Sequence, residues 1–461
     1  MSRELGFELL RHGYRAIPRA RERTDHEHVA PVRLLGRRAL VVTGPEAARR
    51  FYDPELIKRR GAIPWAVRGL LFGGGAVHGL DGEAHRQRKQ LFLDLLDENA
   101  AAELGDGVRG RLEERLRRER CRTPRVFDLL VETYGAAVLD WAGIDEEDPD
   151  AISRRLARIL DGFGGRGISY VRGWAARVRA NRWARGLIRD ARRLSVARPP
   201  RAVDRIAQWR SADGELLPVR VAAVELLNVL RPVVAVAYLG TSAVDQLNRN
   251  PHWREQAADP SRDDIRVAFS HEVRRHYLFV PALAGRTCTA VNWEGEKLGE
   301  GQRVVLDVPG TDHDPGTWPV PDSFDPGRFL GRAIDPYEMV PQGGGEPTGH
   351  RCPGEPATVE ILEATVDVFA SIPWRAVGDH RRRRRIPPRE RLSVLVGWFG
   401  DEDTVAPIPR QSRATVRGMS PDALVDEMNE ESFPGSDPPS TWAGSDEVGR
   451  TAALTRSESE R

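Results

Sequence analysis

Apolar positions recur at spacings of three and four over much of the chain. The pattern runs from Asp81 to about Leu116, through 125–140 and 150–160, and again through 219–247 and 262–277. Such spacing predicts amphipathic helices. A charged helix is predicted over about 172–196, and the glycine-rich stretch 161–175 before it is predicted as a flexible connection. A short helix is predicted at the N-terminus, and another begins at Gly44-Pro-Glu-Ala-Ala-Arg-Arg-Phe-Tyr. Alternating segments around Val32–Leu35 and Ala39–Thr43, with further pieces at 286–293 and 303–308, read as small strands. Helices therefore dominate, with a minor strand component and no internal repeat.

The longest apolar stretch, Val219 to Val244, is interrupted by Glu225, Asn228 and Arg231-Pro232. A membrane tolerates such interruptions poorly. The stretch is predicted as a long buried helix, with no transmembrane segment expected. After Gly400 the composition shifts to Ser, Pro, Asp and Glu. Two regions are expected: a folded domain over 1–400, and a mostly disordered tail over 401–461 with one helical patch at Ser420–Glu431. The run Arg381 to Arg385 reads as a solvated connection.

The chain has 461 residues, 40% of them apolar, enough for a sizeable core. Its formal net charge of +2 argues against a nucleic-acid partner. Lysine occurs only at 58, 89 and 297, so the positive charge is nearly all arginine. Cys121, Cys288 and Cys352 are too widely spaced for a disulfide framework or a zinc pattern. Met1 to Pro18 carries no signal-peptide core. A reducing cytoplasm is the expected location.

Four groups of residues carry candidate chemistry. Pro341-Gln-Gly-Gly-Gly-Glu-Pro-Thr-Gly-His-Arg-Cys-Pro-Gly-Glu355 is a glycine-rich loop that runs into a helical pattern. A cysteine at a helix start meets free N–H groups and the positive dipole end, which favour its thiolate. Glycines let a flat ligand approach. Cys352 thus suits an axial haem ligand, against the plainer reading of a buried free cysteine in an ordinary loop. Glu272 and Arg275 share a helix face and can pair. His85 and Lys89, four apart in His85-Arg-Gln-Arg-Lys89, can present two cations on one face, either to a ligand or to solvent. Arg231, within its apolar helix, wants an anion. An internal Asp, Glu or haem propionate would satisfy it, as would a carboxylate arriving with a substrate. Pro232 removes a helix hydrogen bond beside it.

These motifs resemble the cytochromes P-450, and in particular their hydrogen-peroxide-using fatty-acid branch. In that branch the loop also reads as a glycine run followed by Gly-His-Arg-Cys. The wider superfamily has Phe seven residues before the cysteine, where this chain has Gly345. The resemblance covers roughly residues 5–400. It implies a mainly α cytochrome P-450 fold, with haem b between the helix at 219–247 and the Cys352 loop. It implies that Glu272, Arg275 and Arg328 form a structural triad, and that His85, Lys89 and His350 meet the haem propionates, with Arg59 or Arg60 assisting. The usual acid–threonine pair of the long helix is missing. Arg231-Pro232 takes its place, as in fatty-acid peroxygenases, where the substrate carboxylate acts as the missing general acid–base. The expected activity is hydroxylation at the alpha or beta carbon of a long-chain fatty acid, or its decarboxylation to a terminal alkene. Hydrogen peroxide is the expected oxidant, with no redox partner required. His78, where the branch carries Gln or His, tilts the expectation toward decarboxylation, and Phe72 is expected to line the pocket near the substrate's first carbons. One departure is Leu278, where the branch has proline; this is expected to reshape the pocket. The competing expectations are an O2- and reductase-dependent cytochrome P-450 monooxygenase and a non-catalytic haem sensor.

Overall fold

The computed structural model describes residues 4–397, except 13–15, 22–27, 164–166, 194–198, 212, 278, 379–381, 384–388 and 391. The expected tail 401–461, Leu278 and most of Arg381–Arg385 lie outside the described residues; Arg382–Arg383 form a two-residue strand.

Nine helices build the body around the site. They are α1 Trp65–Leu71, α2 Gly82–Leu95, α3 Glu98–Arg118, α4 Val126–Ala142, α5 Pro149–Phe163, α6 Ile168–Arg193, α7 Val219–Arg249, α8 Asp263–His276 and α9 Glu355–Ser371. The long pattern predicted from Asp81 is interrupted between α2 and α3. Asp97 caps α3, its carboxylate accepting from the Ala100 N–H at 2.8 Å, which satisfies one of the open donors of a helix start. Gly143 ends α4 in the left-handed conformation, φ 76°.

α7 is the axis of the molecule. Nearly every residue from Val221 to Leu247 is buried, so the helix is covered on all sides and sits inside the fold. It packs against α4, α6 and α9 and also touches α5 and α8. By length and composition α7 could cross a membrane, but 94% of its most apolar window is buried within the protein.

The predicted flexible connection at 161–175 is much shorter than expected. α5 continues to Phe163 and α6 begins at Ile168. A Cβ on Gly162 would lie 2.7 Å from the Cα of Gly173. These two glycines let α5 and α6 touch backbone to backbone; the glycines serve packing and not freedom of movement.

The β region is a small mixed sheet beside the helices. It contains β1 Val29–Leu34, β2 Arg37–Val42, β3 Ala282–Thr287 and β4 Arg303–Asp307, in the order β1-β2-β4-β3, with Ile57–Lys58 on the outer edge of β3. β1 and β2 form a hairpin with Val29 opposite Val42. β2 and β4 run parallel, and β4 pairs antiparallel with β3. A separate core of Leu40, Val42, Phe51, Trp293, Val304 and Leu306 lies under this sheet.

Candidate haem and carboxylate site

The cysteine loop is held from three directions. The Cys352 N–H donates to the Gln342 carbonyl at 2.9 Å. Arg274 of α8 donates from Nε to Gln342 Oε1 at 2.7 Å, and its Nη2 pairs with Glu355 at the start of α9. Arg351 donates from Nε to the same carboxylate at 2.6 Å. Burial would raise the Glu355 pKa, but Arg274 and Arg351 outweigh it and pull it down to about 2. From α2, Lys89 donates to the Arg351 carbonyl. Gly343 and Gly345 have φ of 90° and 79°, and a Cβ on Gly343 would lie 2.6 Å from Tyr52 Oη. A side chain there would be strained and would collide.

Cys352 itself is half-buried. Desolvation pushes its thiol pKa up, opposed by the Gly354 N–H and the charges of Lys89 and Arg274. The expected helix-start effect is present but does not dominate in the protein alone.

Glu272, Arg275 and Arg328 come together. Glu272 accepts two bonds from Arg275, at 2.7 and 2.8 Å, with both side chains fully buried. Arg328 Nε lies 3.4 Å from the Glu272 carboxylate. Arg275 also donates to the carbonyls of Asp312 and Ser323, and Arg328 to that of Ser323. The triad therefore joins α8 to the segment before the cysteine loop.

His85 and Lys89 of α2 gather beside His350 of the loop. The rings of His85 and His350 lie 3.9 Å apart. Burial, then the neighbouring charge of Lys89, lowers His85 to about 4. Burial lowers Lys89 to about 8. Burial and Arg59 lower His350 to about 2. Asp81 is largely engaged elsewhere, since it accepts from the backbone N–H groups of Arg59 and Arg60 at 2.7 and 2.8 Å. Its carboxylate also lies 3.5 Å from His350. Such a cluster of donors suits the two carboxylates of a haem. A thiol, two ring donors and an ammonium thus fit that cofactor.

Arg231, Phe72 and His78 are brought together. The Phe72 and His78 rings stack at 4.0 Å, and the Arg231 guanidinium lies 5.9 Å from the centre of the Phe72 ring. Arg231 is 5% exposed, and its Nε has no hydrogen-bond partner. Burial first, then the like charge of Arg177, lowers its pKa to about 9. His78 is lowered to about 3 by burial and by Arg231, and its Nδ1 has no partner. No carboxylate among the described residues pairs with Arg231. The acid one turn and a half away on α7, Glu225, is fully buried but committed elsewhere. It accepts from Arg88 at 2.8 Å, from Asn228 at 3.0 Å and from the Val77 N–H at 3.0 Å.

One residue here was missed by sequence reasoning. Arg177 of α6 has no exposed surface, and it donates to the carbonyls of Leu71 and Phe72 at 3.3 and 3.2 Å. Burial lowers its pKa to about 10, against a favourable effect of Glu225. The only available signal was its place beside the small-residue stripe Gly173, Ala176, Ala180 and Ala184, all buried.

The cytochrome P450 family pattern matches residues 267–365, which span the triad and the cysteine loop. Solved structures of cytochrome P450SP alpha (CYP152B1) superpose over 86% of this chain and 100% of theirs, with TM-score 0.80 and 31% identity. The chain is a cytochrome P450. It belongs to the fatty-acid peroxygenase branch that its motifs resemble. Ligand-free cytochrome P450 OleT matches with TM-score 0.81 and 29% identity, over 87% of this chain and 100% of that one. One OleT structure is a complex with arachidonic acid, and one of cytochrome P450SP alpha holds ibuprofen. Among curated sequences, cytochrome P450 138 of Mycobacterium bovis is 24% identical over 353 residues, 70% of this chain and 76% of that protein. This P450 is a haem-thiolate oxidoreductase whose cofactor is haem b.

Proposed function

We propose that this P450 is a hydrogen-peroxide-dependent fatty-acid peroxygenase. It hydroxylates the alpha or beta carbon of a long-chain fatty acid, or decarboxylates the acid to a terminal alkene. Arg231 carries the reading, as a buried guanidinium with no carboxylate partner among the described residues, beside Phe72 and His78. Haem, held by Cys352, would supply the oxidising chemistry, and a thiolate ligand favours O–O cleavage.

The chain's own residues would do the rest. Arg231 binds the substrate carboxylate through its planar fork. The bound carboxylate stands where other P450s place an acid, and it moves the peroxide proton. Pro232 holds the local turn of α7 open, and Phe72 confines the first carbons. His78, neutral in these surroundings, can hydrogen-bond beside the carboxylate. His85, Lys89 and His350 hold the propionates, and Glu272, Arg275 and Arg328 keep the loop in place. Residues 1–400 form the catalytic domain, 401–461 a separate tail, in a soluble cytoplasmic protein that needs no redox partner.

The test is incubation of the purified holoprotein with peroxide and a panel of fatty acids, followed by mass spectrometry. Hydroxy acids or terminal alkenes formed with peroxide alone support the reading. Turnover only with O2 and a reductase would favour the monooxygenase alternative, and no turnover in either case the sensor.

A further inference from the structure

Resting on the reading of Arg231 just given, a second buried cation deepens it. Arg177 reaches from α6 into the space between α1 and α7. Its guanidinium has five N–H donors, and two of its nitrogens are used on the Leu71 and Phe72 carbonyls. Its Nε is buried without a partner. No ion pair to a carboxylate satisfies it among the described residues. Those two carbonyls belong to the C-terminal end of α1, which explains how the cation is held but leaves donors open.

The neighbours place the guanidinium. Gly73 has φ 89°, and a Cβ there would be 2.2 Å from Arg177 Nη2 and 2.9 Å from the Val224 methyls. The guanidinium is therefore level with Val224 of α7. Val224 stands seven residues before Arg231, a rise on the order of 10 Å along a helix. Phe72 links the two cations, its carbonyl on Arg177 and its ring beside Arg231. A plain alkyl chain running from Arg231 past this point would leave the Arg177 donors unmet, and a buried unmet donor is costly.

We propose that Arg177 is a specificity-determining residue that takes a second acceptor on the substrate. The preferred substrates are fatty acids oxidised at the far end, α,ω-dicarboxylic acids of medium length above all, with one carboxylate on each arginine. A site built to bond a polar group discriminates against the analogue lacking it.

The test titrates the full-length holoprotein with monocarboxylic and α,ω-dicarboxylic acids from eight to sixteen carbons. Binding is read by the haem absorption shift and by calorimetry. At the best length the diacid binds at least tenfold tighter than the monoacid of equal length. Arg177→Met reverses that order, while Arg177→Lys retains a reduced diacid preference. Monoacids binding as well as diacids at every length would overturn the proposal and leave the peroxygenase reading standing, as would an unchanged order in Arg177→Met. Should Arg177→Met not fold, the wild-type series and Arg177→Lys decide. Binding of neither class would refute the fatty-acid reading and this inference with it.

Discussion

Replacing Arg231 by methionine should make the protein more stable and less active. A buried charge without a partner costs several kcal/mol after relaxation, and Arg231 is 5% exposed with no carboxylate paired to it among the described residues. Methionine has similar length and fills the same space with no charge to desolvate. A gain of about 1–3 kcal/mol is expected, part of the desolvation cost being offset now by the Phe72 ring. One kcal/mol shifts the midpoint by about 2–4 °C in domains of 150–250 residues and by less in a longer chain. The holoprotein should thus unfold about 2–4 °C higher in a thermal scan. In parallel, loss of the charge-assisted fork removes about 3 kcal/mol of carboxylate binding, roughly a hundredfold in kcat/KM with peroxide and a fatty acid. A variant that unfolds at lower temperature would refute the reasoning, because it would show that the guanidinium already has a partner in the protein. Undiminished turnover would refute it equally.

Other predictions concern the frame of the site. Glu272→Gln leaves Arg275 buried without its carboxylate and should cost about 3–5 kcal/mol; a thermal scan and the haem content of the purified variant report it, and parent-like values would show that the triad does not hold the loop. His313 is buried, its ring N–H donating to the Pro309 carbonyl, and burial with Arg275 lowers its pKa to about 3. Its folded pKa lies below the unfolded value, so stability is full above about pH 6.5 and is lost as pH falls toward 3, with about 2 kcal/mol gone by pH 5. His313→Asn should flatten the unfolding midpoint between pH 7 and 5 relative to the parent. Cys352→Ser should abolish the strongly red-shifted ferrous–CO band of a thiolate-bound haem, and a retained band would assign the ligand elsewhere.

Much of the fold could be read from apolar spacing alone. α7 announced itself as the longest apolar stretch, with few polar interruptions, and a central, buried position satisfies that. The Gly162–Gly173 contact was misread as slack, because a glycine that serves packing differs from one that serves motion only through its partner. Glu272, Arg275 and Cys352 stood out through spacing within one helix or loop. Arg231 stood out because a charge in an apolar run needs an explanation, but whether an internal acid met it depended on where Glu225 pointed. Arg177 was hidden among eight arginines of α6. Nothing in one sequence tells a solvated arginine from one turned inward onto the end of another helix.

The central claim is that the guest, not the protein, supplies the carboxylate at Arg231. The most direct measurement compares peroxide-driven turnover of a long-chain fatty acid with that of its methyl ester, in the same holoprotein. The account predicts that the acid is converted and the ester is slower by about a hundredfold or more, since the loss of the ionic bond is worth about 3 kcal/mol. Equal rates for acid and ester would contradict it.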